Sequence, residues 1–220
     1  MAKSNKRRIK YFAGQHETLP IKDKRLLNAL MYHLLAKREN AKSDIKRYQA
    51  DRNYMLFLIG FNTAFRAEDL LQLRVFDVIK GFVCIKENKT GKTQNFKMNK
   101  QLHDEIKDYV SRNDLTHYDY LFRGQKKVVN GKAYIYPINR QMGHKIVSSV
   151  AKEVGINFVF GLHSLRKTFG YMYILDGGKP ETLMKMYNHD DYNVTLRYVC
   201  WGKDDAERDR AAIFLGVTSK

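Results

Sequence analysis

The stretch Gly161-Leu-His-Ser-Leu-Arg-Lys-Thr-Phe169 is the most informative part of this chain, together with two residues that follow it, His189 and Tyr198. Its His163 and Arg166 are three residues apart, so a helix would place them one turn apart on the same face. Histidine, arginine and the phenol of a tyrosine, in this order, suit an attack on a phosphodiester bond. The pattern therefore predicts phosphoryl transfer on a nucleic acid.

A second arginine stands upstream in Asn62-Thr-Ala-Phe-Arg-Ala-Glu-Asp-Leu-Leu-Gln-Leu73, at the start of an apolar helical segment. Together these motifs resemble the catalytic domain of the tyrosine recombinase (phage integrase) family. That family reads T-G-L-R-x-S-E-L-x-x-L, then a lysine on a β-hairpin, then H-x-L-R-H, then L-G-H and a tyrosine nine residues on. The resemblance runs from about Leu19 to about Trp201. The matching positions are Arg66, Lys89, His163, Arg166, His189 and Tyr198.

Three positions depart from the family pattern. Lys167 stands where many members carry histidine, Asn188 stands where a glycine is usual, and Asp69 stands where a glutamate is usual. None of these changes removes a group that does chemistry. The resemblance gives Asp69 a supporting position beside the site.

The resemblance implies a role for each matching residue. Arg66 and Arg166 would clamp the non-bridging oxygens of the transition state, because guanidinium offers paired donors in a fixed geometry. Lys89 would protonate the leaving 5′-oxygen, since an alkoxide leaves badly. Lys86 and Lys92 flank it in sequence, so the choice among the three lysines stays open.

The remaining roles concern the nucleophile. Tyr198 would attack phosphorus and form a 3′-phosphotyrosine, with His163 accepting or shuttling its proton. His189 would donate a hydrogen bond to a non-bridging oxygen. Because the protein's own cations stabilise the charge, no metal and no other cofactor is expected.

The composition agrees with a nucleic-acid partner. The chain of 220 residues has 40 Lys and Arg against 23 Asp and Glu, a formal net charge of +17. Such a charge favours a polyanion as the partner, bound with strong salt dependence, and the resemblance implies that this polyanion is double-stranded DNA. No apolar run is long enough to cross a bilayer, and no secretory signal follows the basic N-terminus, so we expect no membrane partner and a cytoplasmic, nucleoid-associated location. Cys84 and Cys200 are expected to be buried free thiols.

Hydrophobic spacing predicts a mainly α fold with one small antiparallel β-sheet, an α+β arrangement. The resemblance implies that this is the integrase-like fold of the tyrosine recombinase catalytic domain. The strands are expected at 82–85 and 94–98, joined by a turn over 88–91, and 113–137 is interpreted as the longest loop. The predicted helices span about 20–38, 44–61, 66–73, 100–112, 138–154, 162–175, 180–187, 191–199 and 203–215.

The domain organisation follows from the ends of the chain. Residues 1–17 are predicted to be a flexible basic arm, and 18–220 the catalytic domain with a C-terminal tail helix from about 203. The tail is too short and too apolar at its end to stand alone in water. The resemblance implies that such a helix docks into a neighbouring protomer, in a homotetramer on DNA that carries specific recombination sites. The alternative, in which Ile213, Phe214 and Leu215 fold back on their own domain, stays open. Accessory DNA-bending proteins are candidate further partners.

Three rival functions stay open at this stage. His189-Asp190-Asp191, with His163 and Asp204, superficially offers ligands for a metal-dependent phosphohydrolase. The same fold without turnover would be a DNA-binding regulator. The same nucleophile would also serve a DNA-relaxing enzyme of the type IB topoisomerase kind. The pattern favours a site-specific recombinase for integration, excision or inversion of a DNA segment.

Overall fold

Helices carry most of residues 17–216, the part of the chain that a computed structural model describes. Several begin at a side chain that accepts a hydrogen bond from an otherwise unpaired backbone N–H of the first turn. The capping residues are Asp23, Ser43, Asn99, Asn139 and Asp191. The helices are α1 (Lys24–Glu39), α2 (Asp44–Asn62), α3 (Ala67–Gln72), α4 (Val75–Val78), α5 (Lys100–Arg112), α6 (Arg140–Glu153), α7 (Leu162–Leu175), α8 (Pro180–Met186), α9 (Tyr192–Tyr198) and α10 (Lys203–Ala211).

The main core forms around α2, which packs against α1, α5 and α7. Its consecutive side chains Met55, Leu56 and Phe57 are all fully buried, because neighbours surround this helix on several sides. A second apolar cluster lies beneath α7, α8 and α9 and includes Tyr171, Leu183, Tyr187 and Val199. This second cluster supports the side chains of the candidate site.

Two antiparallel hairpins complete the fold. Strands β1 (Phe82–Lys86) and β2 (Thr93–Lys97) pair with Phe82 opposite Lys97 and Lys86 opposite Thr93. Strands β3 (Arg123–Val129) and β4 (Lys132–Pro137) form the second hairpin. The mainly α prediction with a small antiparallel sheet is confirmed, but the expectation of one sheet is wrong because residues 17–216 contain two.

The loop interpretation of 113–137 is therefore wrong for most of its second half. Asn130 and Gly131 both have positive φ, of 51° and 73°, which is the backbone that a tight two-residue hairpin turn requires. Lys126, Lys127 and Val128 precede this turn and are exposed. Because neither face of β3 is buried, the alternation of apolar and polar residues that reveals a strand is missing.

The predicted helices are found with shifts of a few residues. The short helix α4 was not predicted, and α10 ends at Ala211 rather than near 215. None of the helices described within residues 17–216 combines the length and the apolar character that a membrane crossing would need. Residues 1–16, which hold nearly all of the predicted basic arm, lie outside the described residues.

The prediction for the cysteines is partly wrong. Both Cys84 and Cys200 are free thiols, but Cys84 is exposed and Cys200 only half-buried. Side chains alternate across a strand, so the burial of Val83 in β1 turns its neighbour Cys84 to the outer face.

Candidate active site

Arg166 is a deeply buried charged group of the site. It lies on α7, and its guanidinium donates from Nη1 to the Ala64 carbonyl and from Nη2 to the Tyr187 carbonyl at 3.0 Å. The guanidinium also lies 4.2 Å from the centroid of the Tyr187 ring, a favourable cation–π distance. Burial lowers the pKa of Arg166 from its usual value, yet an arginine keeps its charge at neutral pH.

Arg66 approaches the same point from another element. It is the N-cap residue of α3, and its Nη2 donates to the Tyr187 carbonyl at 3.3 Å. Its Nη1 forms an ion pair with the buried carboxylate of Glu87. The two guanidiniums thus converge on one main-chain oxygen, an arrangement that can grip two oxygens of a phosphate.

Glu87 holds this pair of cations together and was not predicted from the sequence. It accepts hydrogen bonds from Gln94 at 2.8 Å and from the Thr90 hydroxyl. Burial raises the pKa of Glu87, but these two hydrogen bonds and the charge of Arg66 outweigh it and leave the pKa lowered. Glu87 is therefore a stable anion between β1 and α3. The available signal was a lone acid among lysines at the hairpin turn.

Tyr187 organises the other side of the site, also without a sequence prediction. Its ring is fully buried, and its hydroxyl donates to the Arg166 carbonyl at 2.5 Å. The ring contacts His189 and Tyr198 edge-on, with centroids 5.2 and 5.5 Å away. Burial raises the pKa of Tyr187 strongly, so this phenol stays neutral and acts as a packed support.

Tyr198 ends α9 beside these groups. Its ring centroid is 5.6 Å from that of His189 and 6.0 Å from the guanidinium carbon of Arg166. Burial raises the pKa of the Tyr198 phenol, and Arg166 and Arg66 lower it. The two arginines therefore oppose the cost of forming a phenolate there.

His189 is held by one specific contact. Its Nδ1 lies 3.0 Å from the Thr195 hydroxyl. Burial, and then the charges of Arg166 and Arg66, lower the pKa of His189 to about 4. The ring is therefore neutral at neutral pH. A neutral ring with its proton on Nε2 accepts a hydrogen bond at Nδ1 from the Thr195 hydroxyl. Its Nε2 can then donate a hydrogen bond to a phosphate oxygen.

Asn188 occupies the position before His189 where the family pattern has glycine. Its φ is +52°, in the left-handed region that asparagine tolerates better than most residues. The backbone turn before His189 is thus retained without glycine.

His163 stands on the same helix as Arg166, at its first turn, and is half-buried. Burial lowers the pKa of His163, and Arg140 and Arg166 lower it further. Its imidazole is therefore neutral at neutral pH, the state in which it can accept a proton.

The candidate general acid lies on the β1–β2 turn. Asp69 in α3 accepts hydrogen bonds at 2.9 Å from both the backbone N–H and the side-chain amide of Asn88, which ties the turn to α3. Lys89, next in the chain, is exposed at the turn, whereas Lys92 donates to the Asn188 carbonyl at 3.3 Å and to Asp190 at 3.0 Å. The structure thus brings together Arg66, Arg166, His189 and Tyr198. Lys92 contacts the residues on either side of His189, whereas Lys89 is exposed on the turn.

Ligands for a metal ion are not grouped in the described part of the chain. Within residues 17–216, no three His, Cys, Asp or Glu side chains lie close enough to one another to hold one. In particular, the Nδ1 of His189 faces Thr195 rather than a neighbouring acid.

Comparisons with known proteins identify relatives of this chain by sequence. Residues 24–202 match the sequence model of the Phage integrase family. The chain is 33% identical to the probable integrase/recombinase YoeC of Bacillus subtilis (strain 168), over 179 residues that make up 79% of this chain and 92% of that protein.

Solved structures show the same fold at lower identity. XerA recombinase superposes with a TM-score of 0.66 at 18% identity, over 89% of this chain and 65% of that one. The post-cleavage complex of XerH with a palindromic difH substrate gives 0.63 at 18%, over 92% and 55%. The catalytic domain of bacteriophage HP1 integrase gives 0.52 at 16%, over 89% and 95%. This chain thus spans less than two thirds of the XerA and XerH chains.

Proposed function

Because the chain belongs to the phage integrase family, we propose that it cleaves and rejoins DNA strands at specific sites through a 3′-phosphotyrosine intermediate. The observation that carries the proposal is the convergence of Arg66 and Arg166 on the Tyr187 carbonyl, beside the ring of Tyr198. A scissile phosphate placed there would meet two guanidiniums and a phenol at once. The XerH structure is described as bound to its difH substrate, and DNA is the substrate that we propose here.

The cleavage step balances without an external reagent. The Tyr198 oxygen forms a bond to phosphorus, the bond from phosphorus to the 5′-oxygen breaks, and the phenol proton passes to His163. Arg66, Arg166 and the Nε2 of His189 donate to the non-bridging oxygens, whose charge grows in the transition state. Lys89 gives the leaving oxygen its proton. The phosphodiester is conserved as a phosphotyrosine, so the strand can be rejoined without ATP or a metal.

The segment after α10 is our candidate for the contact between protomers on DNA. Ile213, Phe214 and Leu215 are 66%, 69% and 94% exposed, so these apolar side chains do not pack on their own domain. We propose that they dock on a neighbouring protomer in a DNA-bound tetramer. Burying them there would offset part of the cost of association.

Trapping on a nicked duplex of candidate target sequence tests the proposed chemistry. The wild type should form a protein–DNA adduct that survives denaturant, and should form it equally in EDTA. Tyr198→Phe should bind the duplex and form no adduct. Tyr192→Phe is the matched control, because Tyr192 begins the same helix and is exposed. An adduct in the Tyr198→Phe protein would remove Tyr198 from the role, and adduct loss in EDTA would contradict metal independence.

A further inference from the structure

We propose that Lys167 and Glu17 form a positioning pair for Tyr198, in which the Lys167 ammonium favours the attacking phenolate and Glu17 moderates that effect. The inference rests on the proposed role of Tyr198 as nucleophile. Lys167 stands at the position where many family members carry histidine, and none of the catalytic steps above uses it.

The geometry places the ammonium against the nucleophile. Lys167 follows Arg166 on α7, and its Nζ lies 5.1 Å from the centroid of the Tyr198 ring. This side chain is only 3% exposed, which is unusual for lysine. A buried cation over an aromatic face attracts the neutral ring and attracts the phenolate more strongly.

The partner of this buried cation comes from the other end of the domain. The Nζ of Lys167 donates to Oε1 of Glu17 at 2.5 Å, and the Glu17 side chain is 73% exposed. Burying an ammonium without a partner is unfavourable, so the carboxylate helps to keep Lys167 where it is. The structure thus connects a surface carboxylate to the nucleophile through one buried amine.

The segment that carries Glu17 is fixed against the same helix. The N–H of Leu19 donates to the Val159 carbonyl, and the N–H of Ile21 donates to the Thr168 hydroxyl on α7, both at 2.9 Å. Ile21 is fully buried. Residues 17–21 therefore form a strap along α7, and Glu17 is held in place rather than meeting Lys167 by chance.

Other charged groups also act on Tyr198 and set the size of the expected effect. Burial raises the pKa of the Tyr198 phenol, Arg166 and then Arg66 lower it, and Glu17 and Cys200 raise it. His189 and Tyr187 face the same ring. Cys200 also lies 4.0 Å from the Lys167 amine. Lys167 and Glu17 have opposite charges beside one phenol. Removing the charge of Lys167 should therefore make the Tyr198 phenol ionise at higher pH, and removing the charge of Glu17 should make it ionise at lower pH.

The test measures single-turnover cleavage of a nicked duplex against pH. The midpoint is the pH at which the cleavage rate reaches half of its alkaline maximum. Lys167→Met keeps the length of the side chain and removes the charge, so this midpoint should rise by about one pH unit. Lys167→Arg should keep the wild-type midpoint. Glu17→Gln, which changes an exposed residue, should lower the midpoint and carries the test if Lys167→Met fails to fold. The paired control is Lys100→Met with Asp104→Asn, an exposed ion pair on α5.

The outcomes separate this inference from the proposed function. If Tyr198→Phe still forms the adduct, the proposed function fails. If Tyr198→Phe loses the adduct but neither Lys167→Met nor Glu17→Gln moves the midpoint, only the positioning pair is refuted. An upward shift in both variants would overturn the moderating role of Glu17, because it would mean that the carboxylate only serves to keep Lys167 charged.

Discussion

At the scale of single residues, the environment of each side chain sets its protonation state. His189 is a clear case, because burial and two neighbouring guanidiniums lower its pKa from 6.5 to about 4. The unfolded chain has no such environment, so unfolding restores the ordinary pKa. Protonation of this ring therefore couples the stability of the domain to pH.

We expect the free energy of unfolding to fall as the pH drops from about 6.5 to about 4. In that window the unfolded state binds a proton that the folded ring of His189 refuses. Urea unfolding at pH 7 and pH 5 measures the effect, and His189→Gln should lose less stability between these two values than the wild type. Between pH 8 and 7 the two proteins should lose the same amount. Equal losses between pH 7 and 5 would show that the ring is not desolvated.

Single residues were predicted from sequence where their chemistry is distinctive. Arg66, Arg166, His189 and Tyr198 were all nominated by spacing, and the structure brings them together. Glu87 and Tyr187 were not, because a lone acid in a lysine-rich turn is only a weak signal and nothing in the sequence separates Tyr187 from the other tyrosines, of which the chain has 14 in all. Their contribution is burial and a shared contact, which depend on elements distant in sequence.

At the scale of elements, the β1–β2 hairpin and α3 act as one unit through Asp69. Asp69→Ala removes both hydrogen bonds to Asn88 and should displace the adjoining Lys89. Cleavage should fall about tenfold, the effect of a displacement costing about 1.4 kcal/mol in the transition state. A bridging 5′-thiophosphate leaves without a proton, so it should restore cleavage in both Asp69→Ala and Lys89→Ala.

The matched control for that experiment is Arg66→Ala. The loss of Arg66 weakens the clamp on the non-bridging oxygens, which a better leaving group does not replace. Rescue confined to Lys86→Ala or Lys92→Ala would transfer the general acid to that lysine. Failure of the thio substrate to rescue Asp69→Ala would mean that Asp69 serves the fold alone.

Helices and strands were predictable from the sequence where one face is buried and therefore apolar. Helices such as α7 were located to the residue, because their apolar faces repeat at helical spacing. The β3–β4 hairpin was missed because its strands bury neither face. Its Asn130-Gly131 turn was the one usable signal.

At the scale of the whole molecule, we propose that the tail after α10 joins one protomer to the next. Asp205 in α10 accepts hydrogen bonds from Lys22 at 2.8 Å and from Tyr171 at 2.6 Å, so α10 belongs to the folded body. Removing residues 213–220 spares this contact and deletes the exposed apolar residues. We expect an unchanged melting temperature and loss of the multimeric DNA complex in sizing experiments. The control of native length replaces Ile213, Phe214 and Leu215 by serine and should behave in the same way. A multimer that persists in both would place the protomer contact elsewhere.

The Tyr187 carbonyl that both arginines share has a genetic consequence. It is a main-chain atom, so no codon change at position 187 deletes it, and a mutation can only move it. A substitution screen would therefore detect the role of this carbonyl oxygen only indirectly, through substitutions that move the backbone between α8 and α9. Libraries built to alter target choice can leave this acceptor out of the mutated set, provided that the buried ring that fixes the path is retained.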